Sequence, residues 1–356
     1  PRVLSDIGDS VCMQVLLDRM AVSEPSVRAE IAAAAGRRLR RSGRLFEDAE
    51  LVQQLCAREV EDFFNWARLQ WESDTPADSL VSDALEQKKR QCRKSLVELL
   101  SIAHPGAEFA SIVQGFDSHR AASRSDAIEL LDNTLRGPGR QDIFAVFDCP
   151  DVDAQAAYAR KHWPAPQRGK EDCLRSFLQG SDKWVAACAA LLIGRQGIRS
   201  LTEEVRSLLK EGNPFIVQSA LGALRGLVPS AEFQSLVSSF DSDPRPLVAN
   251  YVAAHSRRKH MLTIVEKVLF LKSVDIFCNI PGPVLSRVAE IAREELFDQG
   301  ATVITQGEMG SGLYVVVRGE AQLTVDGVEV ARLGESEFFG EMSLFDAEPT
   351  SATVFA

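Results

Sequence analysis

Phe339–Gly340–Glu341–Met342–Ser343–Leu344, followed four residues later by Pro349–Thr350–Ser351–Ala352–Thr353–Val354, closes a run of short apolar segments separated by glycines. Working upstream, the segments are Val328–Leu333, Ala321–Val325, Leu313–Val317 and Thr302–Thr305. They read as short strands bounded by turn residues. Gly300, Gly307, Gly312 and Gly319 stand at the gaps, where a reversing chain uses the positive φ that glycine adopts without strain. Asp326–Gly327 between two alternating runs predicts a two-residue hairpin. Tyr314 and Phe339 are assigned to the core of this strand region.

Further upstream the character changes. Apolar residues at helical spacing mark residues 262–294: Ile264, Val265, Val268, Leu269 and Leu271, then Val284, Leu285, Val288 and Ile291 after Pro281–Gly282–Pro283. Residues 1–260 also read as helices. Leu51, Val52, Leu55, Cys56, Val60, Phe63, Phe64 and Ala67 make one periodic set, and Val81 through Leu100 another, with Ser73–Asp74–Thr75–Pro76 as the breaker between them. Helices followed by a run of strands predict separate domains, here 1–260 and 261–356.

The helical part contains a repeat. A shift of 32 residues lays Val185 on Val217, Cys188 on Ala220, Leu192 on Leu224 and Gly194 on Gly226, and Val248 lies 31 residues further on. Ser23–Glu24–Pro25–Ser26–Val27 has the same build near the start. Asp, Asn or Ser with Pro starts each helix, and small residues let it lie close to a partner. Helix pairs of this kind bury their apolar faces by stacking. The pattern resembles HEAT repeats, most clearly over 173–260, with a degenerate middle.

The C-terminal pattern resembles a cyclic nucleotide-binding domain, which implies a β-roll with flanking helices. The fold class expected is therefore multidomain, α then α+β: a HEAT-like α-solenoid followed by that roll. The resemblance places Gly340, Glu341, Met342, Ser343, Thr350, Ser351 and Ala352 in a candidate pocket for a cyclic nucleotide, cAMP or cGMP. It implies backbone N–H groups of a short helix start around the phosphate, a glutamate at Glu341 on the ribose hydroxyl, and an arginine directly after the proline on the phosphate. Thr350 stands at that last position, and no Arg or Lys occurs between Gly340 and Ala356. Threonine brings neither charge nor a planar fork of donors. For Glu341 a second reading stays open, a carboxylate stabilising the first turn of a helix.

Ser125–Asp126–Ala127–Ile128–Glu129–Leu130–Leu131–Asp132–Asn133–Thr134–Leu135 and Met261–Leu262–Thr263–Ile264–Val265–Glu266–Lys267–Val268–Leu269–Phe270–Leu271 are similar to elements of bacterial ATP/ADP-translocase-like, major-facilitator-type transporters that carry HEAT repeats and a cyclic nucleotide-binding domain after their membrane portion. That resemblance implies a cytoplasmic part, at the cytosolic face of the inner membrane, covalently attached to a transmembrane transporter domain. The chain opens on Pro1 rather than Met and ends at Ala356 just after the cassette, which is read as a piece of a longer protein truncated inside the roll.

Charge and composition narrow the function classes. The 356 residues carry a formal net charge of −10, which argues against a nucleic-acid binder. From Leu262 onward fifteen acidic residues face six basic ones, a balance of −9, so the acidity sits in the part expected to bind an anion. No apolar stretch reaches the length of a membrane span. Seven scattered cysteines form no C-x-x-C pair and are expected to be buried free thiols. His104, His119, His162, His255 and His260 show no metal-ligand or nucleophile–base spacing. No metal site, catalytic residue or resident cofactor is expected. The runs Arg37–Arg38–Arg40–Arg41–Arg44 and Lys88–Lys89–Arg90–Arg93–Lys94 are expected to be solvated helix faces, with anionic lipid contact as the alternative. The function expected is a non-catalytic regulatory or sensor module. The alternatives are a cAMP or cGMP receptor and a protein-interaction scaffold whose helical repeats hold a protein partner.

Overall fold

The computed structural model describes residues 10–20, 25–42, 48–104, 121–135, 139–256, 261–310, 312–341 and 349–356. The chain divides into two compact units, Pro1–Phe177 and Leu178–Ala356. Both flanks of the boundary expected at 260/261 fall in the second unit, where helices continue to Ile291 and the first strand begins at Thr302.

The first unit is helical. Its elements are α1 (Ser10–Met20), α2 (Pro25–Ser42), α3 (Ala49–Glu72), α4 (Leu80–Ala103), α5 (Ala121–Thr134), α6 (Arg140–Asp148) and α7 (Val152–His162). The two long helices begin where short side chains cap them: the Asp48 carboxylate accepts from Leu51 N and the Ser79 hydroxyl from Ser82 N. Their apolar stripes, including Val60, Phe63 and Phe64 on α3 and Leu96, Leu99 and Leu100 on α4, meet in one core. Within it Phe64 stacks on Tyr158 at 4.8 Å and on Trp163 at 5.5 Å. A charged group lies in the same unit. Arg28 of α2 and Glu59 of α3 are 2% and 1% exposed, with Nε donating to Oε1 at 2.6 Å and Nη2 to Oε2 at 3.2 Å. Arg28 Nη2 also pairs with Asp62.

Two expectations are corrected here. The basic set on α4 is only partly a solvated face: Arg90 and Lys94 are exposed, but Lys88 and Lys89 are buried. Lys89 Nζ donates to Gln155 Oε1 at 2.9 Å and lies 2.6 Å from Glu86 Oε2. The Arg93 guanidinium sits 4.8 Å from the Phe63 ring centroid while its Nε donates to Val146 O. These long side chains lay their methylene stems against apolar neighbours and carry the charge to a carbonyl or carboxylate. Burial pushes the Lys89 ammonium below its ordinary pKa, against the pull of Glu86. Of the first arginine run, Arg37 is exposed and Arg38 half-buried; the side chains from Arg40 to Arg44 lie outside the described residues. The thiols are the second correction. Cys56, Cys92, Cys173 and Cys188 are buried, but Cys149 is half-buried and Cys278 exposed; the Cys12 side chain lies outside the described residues. Burial raises Cys56 to about 12 and Cys173 to about 11, so both stay protonated and unreactive at neutral pH.

α8 (Lys170–Gln179) spans the boundary between the units, and the second unit continues with α9 (Lys183–Gln196), α10 (Thr202–Ser207), α11 (Pro214–Leu227), α12 (Ser230–Ser238), α13 (Pro246–Ser256), α14 (Ile264–Leu271) and α15 (Gly282–Ile291). Short polar side chains cap α9 and α11: Asp182 accepts from Trp184 N and Val185 N, and Asn213 from Phe215 N. The two glycines equated by the repeat meet. A Cβ on Gly226 would stand 2.5 Å from Gly194 O, and one on Gly194 would stand 2.6 Å from the Ala223 Cα. Helices α9 and α11 therefore cross backbone to backbone, which only glycine at these positions allows.

α14 is tied to this helical layer. Its start carries a capping box between Thr263 and Glu266. Gln218 Oε1 accepts from Ile264 N at 3.0 Å, and Arg225 Nη2 donates to Glu266 Oε1 at 2.8 Å. The strands follow: β1 (Thr302–Ile304), β2 (Tyr314–Val315), β3 (Ala321–Val325), β4 (Val328–Leu333), β5 (Phe338–Phe339) and β6 (Thr353–Phe355). They form an antiparallel four-stranded sheet of order β1-β6-β3-β4 and an antiparallel β2-β5 pair. Asp326 and Gly327 turn the β3–β4 hairpin with φ of 51° and 81°, the two positive values of the hairpin turn expected from the sequence. Among the described residues no helix is long and apolar enough to cross a membrane.

Candidate functional site

The candidate residues sit at the ends of two strands. Ala321, Phe339 and Val354 are the buried centre of the sheet region, with Val303, Ile304, Tyr314, Val316, Leu323 and Leu333 packed on them. Tyr314 and Phe339 face each other across the β2–β5 pair and stack at 5.2 Å with 3° between the rings. Their role is core packing, as expected from the sequence.

Gly340 leaves β5 with φ +82°, and a Cβ there would meet Gly312 O at 2.6 Å. The position therefore needs glycine twice, for its backbone angle and for the approach of the segment beside β2. Gly340→Ala is expected to lower the stability of the roll by about 2 kcal/mol, through left-handed strain and overpacking together. Thermal unfolding of the full chain followed by circular dichroism checks this; an unchanged melting profile contradicts it. Glu341 follows, half-buried. Met342 and Ser343 lie outside the described residues.

Thr350 and its neighbours approach from the other side, before β6. Pro349 bridges Met309. Thr350 N donates to Glu308 O at 2.8 Å, and Gly307 N donates to Thr350 O at 2.9 Å. The Thr350 hydroxyl lies 2.7 Å from Thr305 O and 3.1 Å from Glu308 O. A hydroxyl has a single proton to give, and here it goes to main-chain carbonyls. The same 305–308 turn is held by Thr353, whose Oγ1 accepts from Gln306 N at 3.0 Å. Gln306 clamps the hairpin tip in turn, donating to Asp326 Oδ1 at 3.0 Å and accepting from Asp326 N at 2.9 Å. Ser351 is exposed and Ala352 half-buried in the bend before β6. Thr350 thus fastens a turn that lies more than forty residues upstream, a role no local sequence signal carries.

The electrostatics follow from composition and pairing. Residues 294–356 hold twelve carboxylates and two arginines, Arg318 and Arg332. Arg332 is spent on β4 itself, its Nε donating to Glu329 Oε1 at 2.7 Å. No basic residue exists beyond Arg332, so the cassette has no cationic side chain of its own to set against a phosphate. Among the described residues no group of three or more His, Cys, Asp or Glu side chains is placed to hold a metal ion.

The family described as cyclic nucleotide-binding domain matches residues 294–356. The chain is similar to the cAMP-dependent protein kinase regulatory subunit of Yarrowia lipolytica, 36% identical over 89 residues, 24% of this chain and 24% of that protein. It is similar to the cGMP-dependent protein kinase egl-4 of Caenorhabditis briggsae, 31% identical over 93 residues, 24% of this chain and 12% of that protein. A solved structure of the regulatory domain of Toxoplasma gondii PKA with cAMP aligns at 32% identity over 31% of this chain and 43% of that one, with a TM-score of 0.26. The chain spans about a quarter or less of the curated relatives named here. These relatives are eukaryotic, and they match the C-terminal part alone. The strands, the Gly340 turn and the family match agree on one statement: the C-terminus of this chain is a cyclic nucleotide-binding domain.

Proposed function

We propose that the chain is a non-catalytic regulatory module. In this reading its C-terminal domain responds to a signal, and the helical part, a HEAT-like solenoid over 1–260, carries the response to a protein partner or to an attached transmembrane transporter at a cytosolic membrane face. The relatives' regulatory role supports the sensor half of this. The repeat at 173–260 and the Gly194–Gly226 crossing support the solenoid, and the sequence elements at 125–135 and 261–271 support the transporter setting. The observation that carries the functional reading is Thr350: its proton is committed to the 305–308 turn, and nothing basic follows Arg332. Losing a buried charge-assisted contact weakens binding by about 30-fold to several thousandfold, so the domain is expected to hold cyclic nucleotides weakly.

Isothermal titration of the full chain with cAMP and with cGMP tests this. The expected result is no binding tighter than about a hundred micromolar, the weak regime set by the missing contact. A constant of a few micromolar or tighter overturns it and establishes the second reading, a true cyclic-nucleotide receptor, which the preserved Gly340 turn favours. The transporter setting fails if the reading frame upstream of Pro1 encodes no membrane-spanning helices.

A further inference from the structure

β4 is an edge of the four-stranded sheet. Its backbone hydrogen bonds within the sheet all run to β3, and among the described residues Val328–Leu333 makes no backbone bond outside it. Edge strands usually guard against pairing with lysine, proline or a covering element. Here the strand carries a charged pair, Glu329 and Arg332, and a register shift as guards, but it is exposed and bares two valines, Val328 at 67% and Val330 at 58% exposure. Its register with β3 shifts between Leu323 and Thr324, which makes Val330 the extra residue and leaves Ala331, Arg332 and Leu333 as a regular stretch.

That stretch runs into a cleft of about 320 Å³. Leu333 forms part of the wall, with Ser273 and Asp275 from the turn after α14 on one side and Glu335, Ser336 and Glu337 on the other. The two serine hydroxyls are 2.8 Å apart and join the turns. Three carboxylates face the space, and no cationic side chain lines it. Lys272, the nearest lysine in sequence, directs its Nζ to Cys278 O at 3.1 Å.

An open backbone edge asks for another strand. Apolar residues along it ask for apolar side chains on alternate positions, and an uncompensated acidic cleft at its end asks for a cation. We propose that β4 and this cleft form a docking surface for an extended, basic segment of a partner protein, which adds as a strand along β4 and sets an arginine or lysine among Asp275, Glu335 and Glu337. This surface shares no residue with the candidate nucleotide pocket.

Fluorescence anisotropy of the full chain with a labelled Arg-Val-Arg-Val-Arg-Val peptide tests the proposal. Binding is expected, and it should weaken about tenfold or more in Asp275→Asn/Glu335→Gln, as for removal of close charge partners at an interface. Glu337 is left in place because its carboxylate accepts from Gly334 N and shapes the turn. Far-UV circular dichroism matching the parent shows that the double variant folds. An Arg-Pro-Arg-Pro-Arg-Pro peptide carries the same charge but lacks half of the N–H donors a strand needs, so its binding should be weaker by at least about tenfold. No binding of the first peptide, undiminished binding to the double variant, or equal binding of the two peptides each overturns the proposal.

Discussion

Replacing Glu59 by alanine is expected to destabilise the N-terminal unit by about 3–5 kcal/mol, the range for breaking a buried ion pair from one side. The cost comes from Arg28. Arg28 is 2% exposed and loses two hydrogen bonds, at 2.6 and 3.2 Å. Asp62 remains as a partner, but its side chain is 31% exposed and its attraction is weakened by solvent. Removing both charges is expected to cost less than removing one. Arg28→Met with Glu59→Leu exchanges a solvation penalty for packing, so the double variant should recover a substantial part of the single variant's loss. Urea unfolding of the full chain, with hydrogen exchange of α2 and α3 to separate this unit's transition from that of the other, measures both. A loss below about 1 kcal/mol for Glu59→Ala would place the pair among exposed bridges of small effect.

Thr350→Arg is expected to raise cAMP affinity by about 30-fold or more, the lower bound for gaining a charge-assisted contact. The opposing cost is the anchor of the present side chain. The Thr350 hydroxyl bonds to Thr305 O and Glu308 O, and a neutral hydrogen bond of this kind contributes about 0.5–1.5 kcal/mol. The main-chain bonds between Thr350, Gly307 and Glu308 survive the substitution and keep the turn in place. A guanidinium can also meet a phosphate with two parallel donors, which no threonine can do. The gain should therefore exceed the loss. Titration of the variant beside the parent reads the difference, and a variant that keeps its fold and binds no better would show that the region does not present a phosphate site at all.

The Thr350 case also shows where sequence reading stops. The absence of arginine after Pro349 was legible, because it is a matter of residue type at one position. The destination of the threonine's proton was not, because its acceptors lie 42 and 45 residues upstream and any carbonyl looks alike in a sequence. Lys89 makes the same point in reverse. Its neighbours Lys88, Arg90, Arg93 and Lys94 suggest a wet face, and the structure buries it against Gln155, 66 residues away. A lysine stem is apolar enough to enter a core once a partner waits at its end, and the partner is not local.

By itself the sequence determined what depends on a few adjacent residues: the Asp326–Gly327 hairpin, the short strands of the roll and the acidity of the C-terminal part. Each follows from backbone sterics, side-chain reach or charge, and none needs a distant partner. Tertiary structure alone decided the buried pairing of Arg28 with Glu59, the burial of Lys89, the meeting of Gly194 with Gly226, and the acidic cleft that Asp275 shares with Glu335 and Glu337. All of these join residues far apart in the chain. Their energies exist only once packing has excluded water and set a donor, an acceptor or a backbone within ångströms of the other.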